Sequence, residues 1–187
     1  MVDFFIQGGG FMWPILIALL FGLAVIGERA YSLINSSSDT DQFFEEVKTI
    51  YSDSGKKQAI EFCENSPGPV ASIFYAGLSK MEKTKEEIEK AVQNAGGLEM
   101  AFLEKNMIWI NSVITIAPML GFTGTVVGMI KAFEDIKMAN DISPAVVAGG
   151  ISQALLTTAF GLIVAMIMQV AQNFFVSMID KLILDME

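Results

Sequence analysis

Histidine is absent from this chain, and cysteine occurs once, at Cys63. The first absence removes the usual general base at neutral pH and the commonest metal ligand. The second excludes an intrachain disulfide. Charge is scarce too: 18% of residues are Asp, Glu, Lys or Arg, against about a quarter in an average soluble domain. The scarcity is uneven. Phe4–Gly27, Asn106–Ile130 and Ile142–Ile179 hold no charged residue, over 24, 25 and 38 residues. A helix rises about 1.5 Å per residue, so roughly 20 residues cross a hydrocarbon core about 30 Å thick. Each stretch is long enough to span a bilayer. A soluble chain of 187 residues has no core large enough for three such helices.

The first apolar stretch differs from a signal peptide. It lacks a basic leader, its apolar run is too long, and it ends in Glu28-Arg29 rather than at a small-residue cleavage site. It reads as a retained helix, with Glu28 and Arg29 at the membrane interface. Of the 12 basic residues, nine lie from Arg29 to Lys105, two (Lys131 and Lys137) between the second and third stretches, and one (Lys181) after the third. Lys and Arg collect in cytoplasmic loops, which predicts the N-terminus outside and the C-terminus inside. The formal charge of −9 does not oppose this, because carboxylates count little in that rule. No basic patch suited to nucleic acid is present.

The expected fold is an all-α membrane protein with three transmembrane helices. The second and third are long and extend into a cytoplasmic helical bundle. The expected divisions are 4–27 for the first span, 35–105 for a cytoplasmic helical region, 106–130 for the second span, 131–141 for a periplasmic hairpin, 142–179 for the third span with its cytoplasmic extension, and 180–187 for the C-terminus. Ser36–Asp39 reads as cap and linker. Phe43, Phe44, Val47 and Ile50 have helical spacing, and Lys56–Glu64 is a second amphipathic piece. Ser66-Pro67-Gly68-Pro69 breaks the chain. Thr84 and Glu87 form a capping box. Gly96-Gly97 weakens the helix that follows without a firm stop, so one helix is expected from Thr84 to about Ile130. Gln169, Gln172 and Asn173 mark where the third span leaves the lipid.

Small residues recur at spacings of four in the last two spans. Gly124, Gly128 and Ala132 share one stripe, and Ala117, Gly121 and Thr125 another. Gly150, Ala154 and Thr158 form a third, and Thr157, Gly161 and Ala165 a fourth. Such stripes let helix backbones approach closely. Two stripes per span predict contacts with more than one neighbour, hence an oligomer. The first span, rich in Leu, Ile, Phe and Val, reads as lipid-facing. Thr123, Thr125, Thr157, Thr158 and Gln153 are the polar residues of these spans. A membrane threonine either bonds its own i−4 carbonyl or turns a hydroxyl to a wet pore, and spacing does not choose between the two.

The segment from Pro118 to Phe133, PMLGFTGTVVGMIKAF, and that from Gly149 to Ala165, GGISQALLTTAFGLIVA, resemble the second- and third-span motifs of the MotA/TolQ/ExbB proton channel family, nearest to ExbB and then TolQ. The resemblance is strong from Pro118 onward and holds in outline before it. It implies a non-catalytic inner-membrane subunit, a pentamer around a dimer of a single-span ExbD- or TolR-type partner whose transmembrane Asp carries the proton. The ExbB branch powers a TonB-like protein for outer-membrane transport, and the TolQ branch supports envelope maintenance. The family's pore threonines fall on Thr125 and Thr158, and Gln153, five residues before the latter, is expected to line the pore with them. Many relatives have Glu there. Gln cannot titrate, so either water and hydroxyls suffice here or the branch serves another ion or task.

A non-conducting scaffold and a gliding-type stator are the other readings. An enzyme is not expected, since no nucleophile–base pair, paired-carboxylate site, nucleotide loop or metal cluster occurs; no cofactor or metal is expected either. A charge at mid-bilayer costs about 2.5–3.5 kcal/mol on insertion scales. No span carries one, so if the chain conducts protons, the carboxylate that carries them has to come from another subunit.

Overall fold

The computed structural model describes residues 2–36, 40–139 and 144–186. These form eight helices: α1 Val2–Gln7, α2 Met12–Ser36, α3 Thr40–Ser54, α4 Lys56–Asn65, α5 Pro69–Ser79, α6 Lys85–Leu103, α7 Met107–Ala139 and α8 Pro144–Leu184. No strand occurs among the described residues. Three helices are long and apolar enough to cross a membrane. They are Met12–Ser36, the run Lys85–Met138 with its apolar part on α7, and Val147–Leu184. The all-α fold with three spans stands as expected.

The chain divides into two compact units. One comprises Met1–Gly27 and Asn106–Asn173, the other Glu28–Lys105 and Phe174–Glu187.

In the first unit the apolar parts of α2, α7 and α8 pack together. A Cβ placed on Gly22 of α2 would meet Met168 Sδ of α8 at 2.5 Å and Val113 Cγ1 of α7 at 3.5 Å. Phe21 meets Trp109 edge-on at 6.0 Å. The first span is therefore lipid-facing on one side only. It buries Met12 and Ile15, while Trp13, Ile17 and Leu20 stay exposed. The segment expected as a hairpin is helical from Lys131 to Ala139. The remainder of 131–141 lies outside the described residues, as do Ser37, Ser38 and Asp39 of the expected linker.

The second unit has its own apolar core. Val47, Ala59, Cys63 and Leu78 are buried, with Phe43, Ile50, Ile60, Phe62 and Phe74 packed around them. Phe43 stacks on Phe62 at 5.6 Å and meets Phe74 edge-on at 5.8 Å. The spacing of Phe43, Val47 and Ile50 places all three on one face of α3. Burial pushes the Cys63 thiol pKa up, so the chain's one cysteine stays a neutral apolar filler. The Thr84 capping box forms in full, with Glu87 N–H donating to Thr84 Oγ1 and Thr84 N–H donating to Glu87 Oε2. The Ser66–Pro69 break also stands, and Pro69 sits in the first turn of α5, where its missing N–H costs nothing.

One expectation fails. The helix that starts at Thr84 does not run unbroken to Ile130: α6 ends at Leu103 and α7 begins at Met107. The stop is not at Gly96-Gly97, which stays helical, but at Asn106, whose φ is 64°. Asparagine tolerates this left-handed conformation better than most side chains. Arg29 supplies the other half of the stop. It is 1% exposed and pairs with Glu28 at 2.8 Å. It also donates to the carbonyls of Leu103 at 3.3 Å and Phe102 at 3.5 Å. The last carbonyls of a helix lack intrahelical partners and carry partial negative charge, so a guanidinium suits them. Glu28-Arg29, read from sequence as an interface marker, thus terminates a helix 74 residues away in sequence. Arg29→Ala is expected to lower the stability of this unit by about 2 kcal/mol, from helix-end carbonyls that lose their donor and from the packing of a buried side chain. Chemical denaturation in detergent, followed by circular dichroism, measures it. A loss under about 0.5 kcal/mol would reduce Arg29 to a surface charge.

Candidate functional site

The site is built on the antiparallel seam between α7 and α8, within the first unit. Glycine sets its closeness. A Cβ on Gly161 would lie 2.5 Å from the carbonyl oxygen of Ala117 and 3.2 Å from Gly121 Cα. One on Gly121 would meet Thr157 O at 2.9 Å and Thr158 Cα at 3.0 Å. Farther along, Gly128 faces Ala154 at 3.4 Å, and Gly150 faces Ala132 Cβ at 2.3 Å. At Gly161 and Gly121 the approach is to backbone, which a larger residue would prevent; at Gly150 the neighbour is the Ala132 methyl, and at Gly128 an added Cβ would make ordinary contact. Ala165 is also buried. The stripes thus serve as packing surfaces, but not as expected: those of α7 meet those of α8 in the same chain. They give no independent sign of a second neighbour.

The close approach brings two threonines together. Thr125 and Thr158 share a short hydroxyl–hydroxyl hydrogen bond. Thr125 Oγ1 also donates to Ala154 O at 3.0 Å, across the seam, and lies 3.3 Å from Gly121 O on its own helix. Thr158 Oγ1 donates across the seam to Gly121 O at 3.1 Å. Two hydroxyl hydrogens serve these alternatives, so the pair can redistribute its donors and retains lone pairs able to accept from water. Both side chains are half-buried.

The other polar residues behave differently. Thr123 is exposed and donates to Met119 O of its own helix at 2.8 Å. Thr157, 1% exposed, donates to Ala154 O at 2.8 Å, again in its own helix. These two follow the local bonding common to membrane threonines. Gln153 is not brought to the Thr125–Thr158 pair. Five residues before Thr158 puts it about 140° away around α8, against Gly9: a Cβ there would come within 2.1 Å of Gln153 Nε2. The sequence reading missed this contact; three consecutive glycines, Gly8-Gly9-Gly10, were the available sign. Among the described residues no group of three or more His, Cys, Asp or Glu could hold a metal ion.

A helical chain with three membrane-capable helices, two of them joined by a hydroxyl-bearing glycine seam, defines a multi-pass membrane protein of the channel or helix-scaffold class. Residues 65–187 match the MotA/TolQ/ExbB proton channel family, and the chain belongs to that family, whose members are inner-membrane proteins. It is 28% identical over 173 residues to an ExbB-like biopolymer transport protein of Synechocystis, covering 91% of this chain and 82% of the relative. It is 28% identical over 180 residues to a biopolymer transport protein ExbB homolog of Methanothermobacter thermautotrophicus, covering 96% and 64%. The Tol-Pal system protein TolQ of Pseudomonas aeruginosa is 28% identical over 133 residues, covering 64% and 58%.

Proposed function

We propose that this chain is the ring-forming subunit of an inner-membrane motor driven by the proton-motive force, with its N-terminus outside and its C-terminus inside. It assembles as a pentamer around a dimer of a single-span ExbD/TolR-type protein. Thr125 and Thr158 line the proton path, and the partner's membrane-embedded carboxylate carries the proton. The complex energises a TonB-like protein for outer-membrane transport; a TolQ-like role in envelope maintenance and a gliding-type stator are the neighbouring alternatives. The subunit itself catalyses no reaction.

One observation carries this reading: a cross-helix hydroxyl pair stands in spans that hold no ionisable side chain. Hydroxyls can order water and pass a proton along hydrogen bonds but cannot hold its charge. The titrating group must therefore be supplied from outside. A single seam cannot enclose a path either, so further copies or a partner have to complete its walls. Exposed apolar residues on α7 and α8, among them Ile116, Phe122, Leu155 and Met166, leave room for such neighbours as well as for lipid.

The test is co-expression with a single-span membrane protein of the ExbD/TolR type that carries an Asp in its span. Native mass spectrometry of the purified complex and pH-dye flux in proteoliposomes are the readouts. Five copies around two, conducting protons only when both proteins are present, is the expected result. Equal flux from this chain alone would refute the need for an external carboxylate. A stable complex without flux would identify a scaffold.

A further inference from the structure

The chain's own N-terminal segment is seated on the α7–α8 seam at Gly124 and Gln153. Its backbone turns at Gly9, with φ +74°, and closes with Met12 N–H donating to Gly9 O at 3.2 Å. Phe5 of α1 meets Trp13 of α2 edge-on at 5.4 Å, so the segment is folded back on itself. Its landing points lie on both helices. Phe11 stands over Gly124, where an added Cβ would come within 3.2 Å of Phe11 Cβ. Gln153 lies against Gly9, its amide nitrogen occupying the space a Cβ would need. Thr157, one helical turn beyond Gln153 on α8, is 1% exposed and packs on Gly124 beside Phe11: an added Cβ on Gly124 would lie 2.8 Å from Thr157 Oγ1. Met12 is likewise buried to 1%.

Among the described residues the Gln153 amide makes no side-chain hydrogen bond, and the approach that marks its place is the one to Gly9. What it contributes is volume: a long, uncharged side chain that fills the notch over which the glycine turn is laid. We propose that Gln153 is a positioning residue, acting through shape, which seats the segment Gly8–Met12 on the seam and so closes the seam to water there. Proton movement is thereby confined to the Thr125–Thr158 pair. The second half of this statement rests on the proton-path reading above; the first half does not.

The test uses the full chain in membranes with its single-span partner, carrying Cys63→Ala and Thr157→Cys. The readouts are the rate at which a small water-soluble maleimide labels the Thr157→Cys thiol, and proton flux. Gln153→Met keeps the length and drops the amide. It is expected to leave labelling slow and flux intact. Gln153→Ala removes the volume and is expected to raise the labelling rate about tenfold, as local opening becomes easier, and to lower flux. Gly9→Ala is expected to act as Gln153→Ala does, since alanine fits neither the left-handed backbone nor the occupied space. Gly10→Ala, with nothing within 4 Å of its Cβ, is expected to have no effect. Lost flux with slow labelling in Gln153→Met would mean that the amide itself works in the proton path, and would overturn the proposal. Unchanged labelling in Gln153→Ala would overturn it from the other side, by showing that the segment is held without Gln153. If the unsubstituted chain conducts nothing, the proton-path reading fails, while the labelling rates still decide whether Gln153 seats the segment.

Discussion

Thr158→Val is expected to reduce proton flux by about two orders of magnitude while the assembled complex survives. Valine matches threonine in shape and helix behaviour, so the seam keeps its packing. What disappears is one hydroxyl, and with it the donor to Gly121 O and the bond to Thr125. The stability cost of such a loss is about 1 kcal/mol, too little to take apart three packed helices. The cost to conduction is larger, because a preorganised polar group in a water-poor site contributes far more to a moving charge than to folding; removing one such group elsewhere costs about a hundredfold or more. Thr158→Ser restores the hydroxyl and is expected to restore most of the flux. Thr123→Val is the control: that hydroxyl is committed to Met119 O of its own helix, and its loss is expected to leave flux unchanged. Dye-reported flux in proteoliposomes, beside native gels of the complex, measures both. Full flux in Thr158→Val would take the pair out of the proton path, whatever became of the ring.

Gly161→Ala is expected to cost about 3 kcal/mol of helix-bundle stability, at the upper end for an overpacked core. The colliding atom is the carbonyl oxygen of Ala117, 2.5 Å from the added methyl carbon. A backbone atom cannot rotate away as a side chain can, so the helices must separate and every contact along the seam loosens. Gly161→Leu is expected to prevent assembly altogether. Gly149→Ala provides the contrast. It lies in the same helix, with no atom within 4 Å of its Cβ. The change there is expected to be neutral or to stabilise by up to about 1 kcal/mol, through helix propensity. Thermal unfolding of the purified protein in detergent, monitored by Trp13 and Trp109 fluorescence, compares the two. Equal stability of Gly161→Ala and the unsubstituted chain would mean that the seam is not tightly closed at this level.

The seam also explains why part of the sequence reading had to be revised. Small residues at spacings of four marked Gly121, Gly128, Ala154 and Gly161 as packing positions, and all four lie on the α7–α8 seam. Periodicity identifies the face of a helix, however, not the neighbour it meets. Two stripes on α7 could have served two different helices. Instead α8 takes both, because it crosses close enough for Ala117, Gly121 and Gly128 all to meet it. The threonines show the same limit. Thr123 and Thr157 keep their hydroxyls on their own helices, whereas Thr125 and Thr158 reach across. The four residues look alike in composition and differ only in angular position relative to a partner helix.

By itself the sequence determined that this chain lives in a membrane, that it has three spans, and that none of them can hold a proton on a titrating side chain. These properties depend on composition over some twenty residues and on the cost of burying charge, neither of which needs a third dimension. Local signals were equally legible, among them the Thr84–Glu87 capping box and the Ser66–Pro69 break, because their partners lie within a few residues. Tertiary structure alone decided where α6 stops, since half of that stop comes from Arg29. It also decided which threonines face each other and what Gln153 touches. Each of these depends on a distance between residues remote in the chain. Such distances follow from how closely two glycine-lined backbones can approach, a quantity that residue spacing permits but does not state.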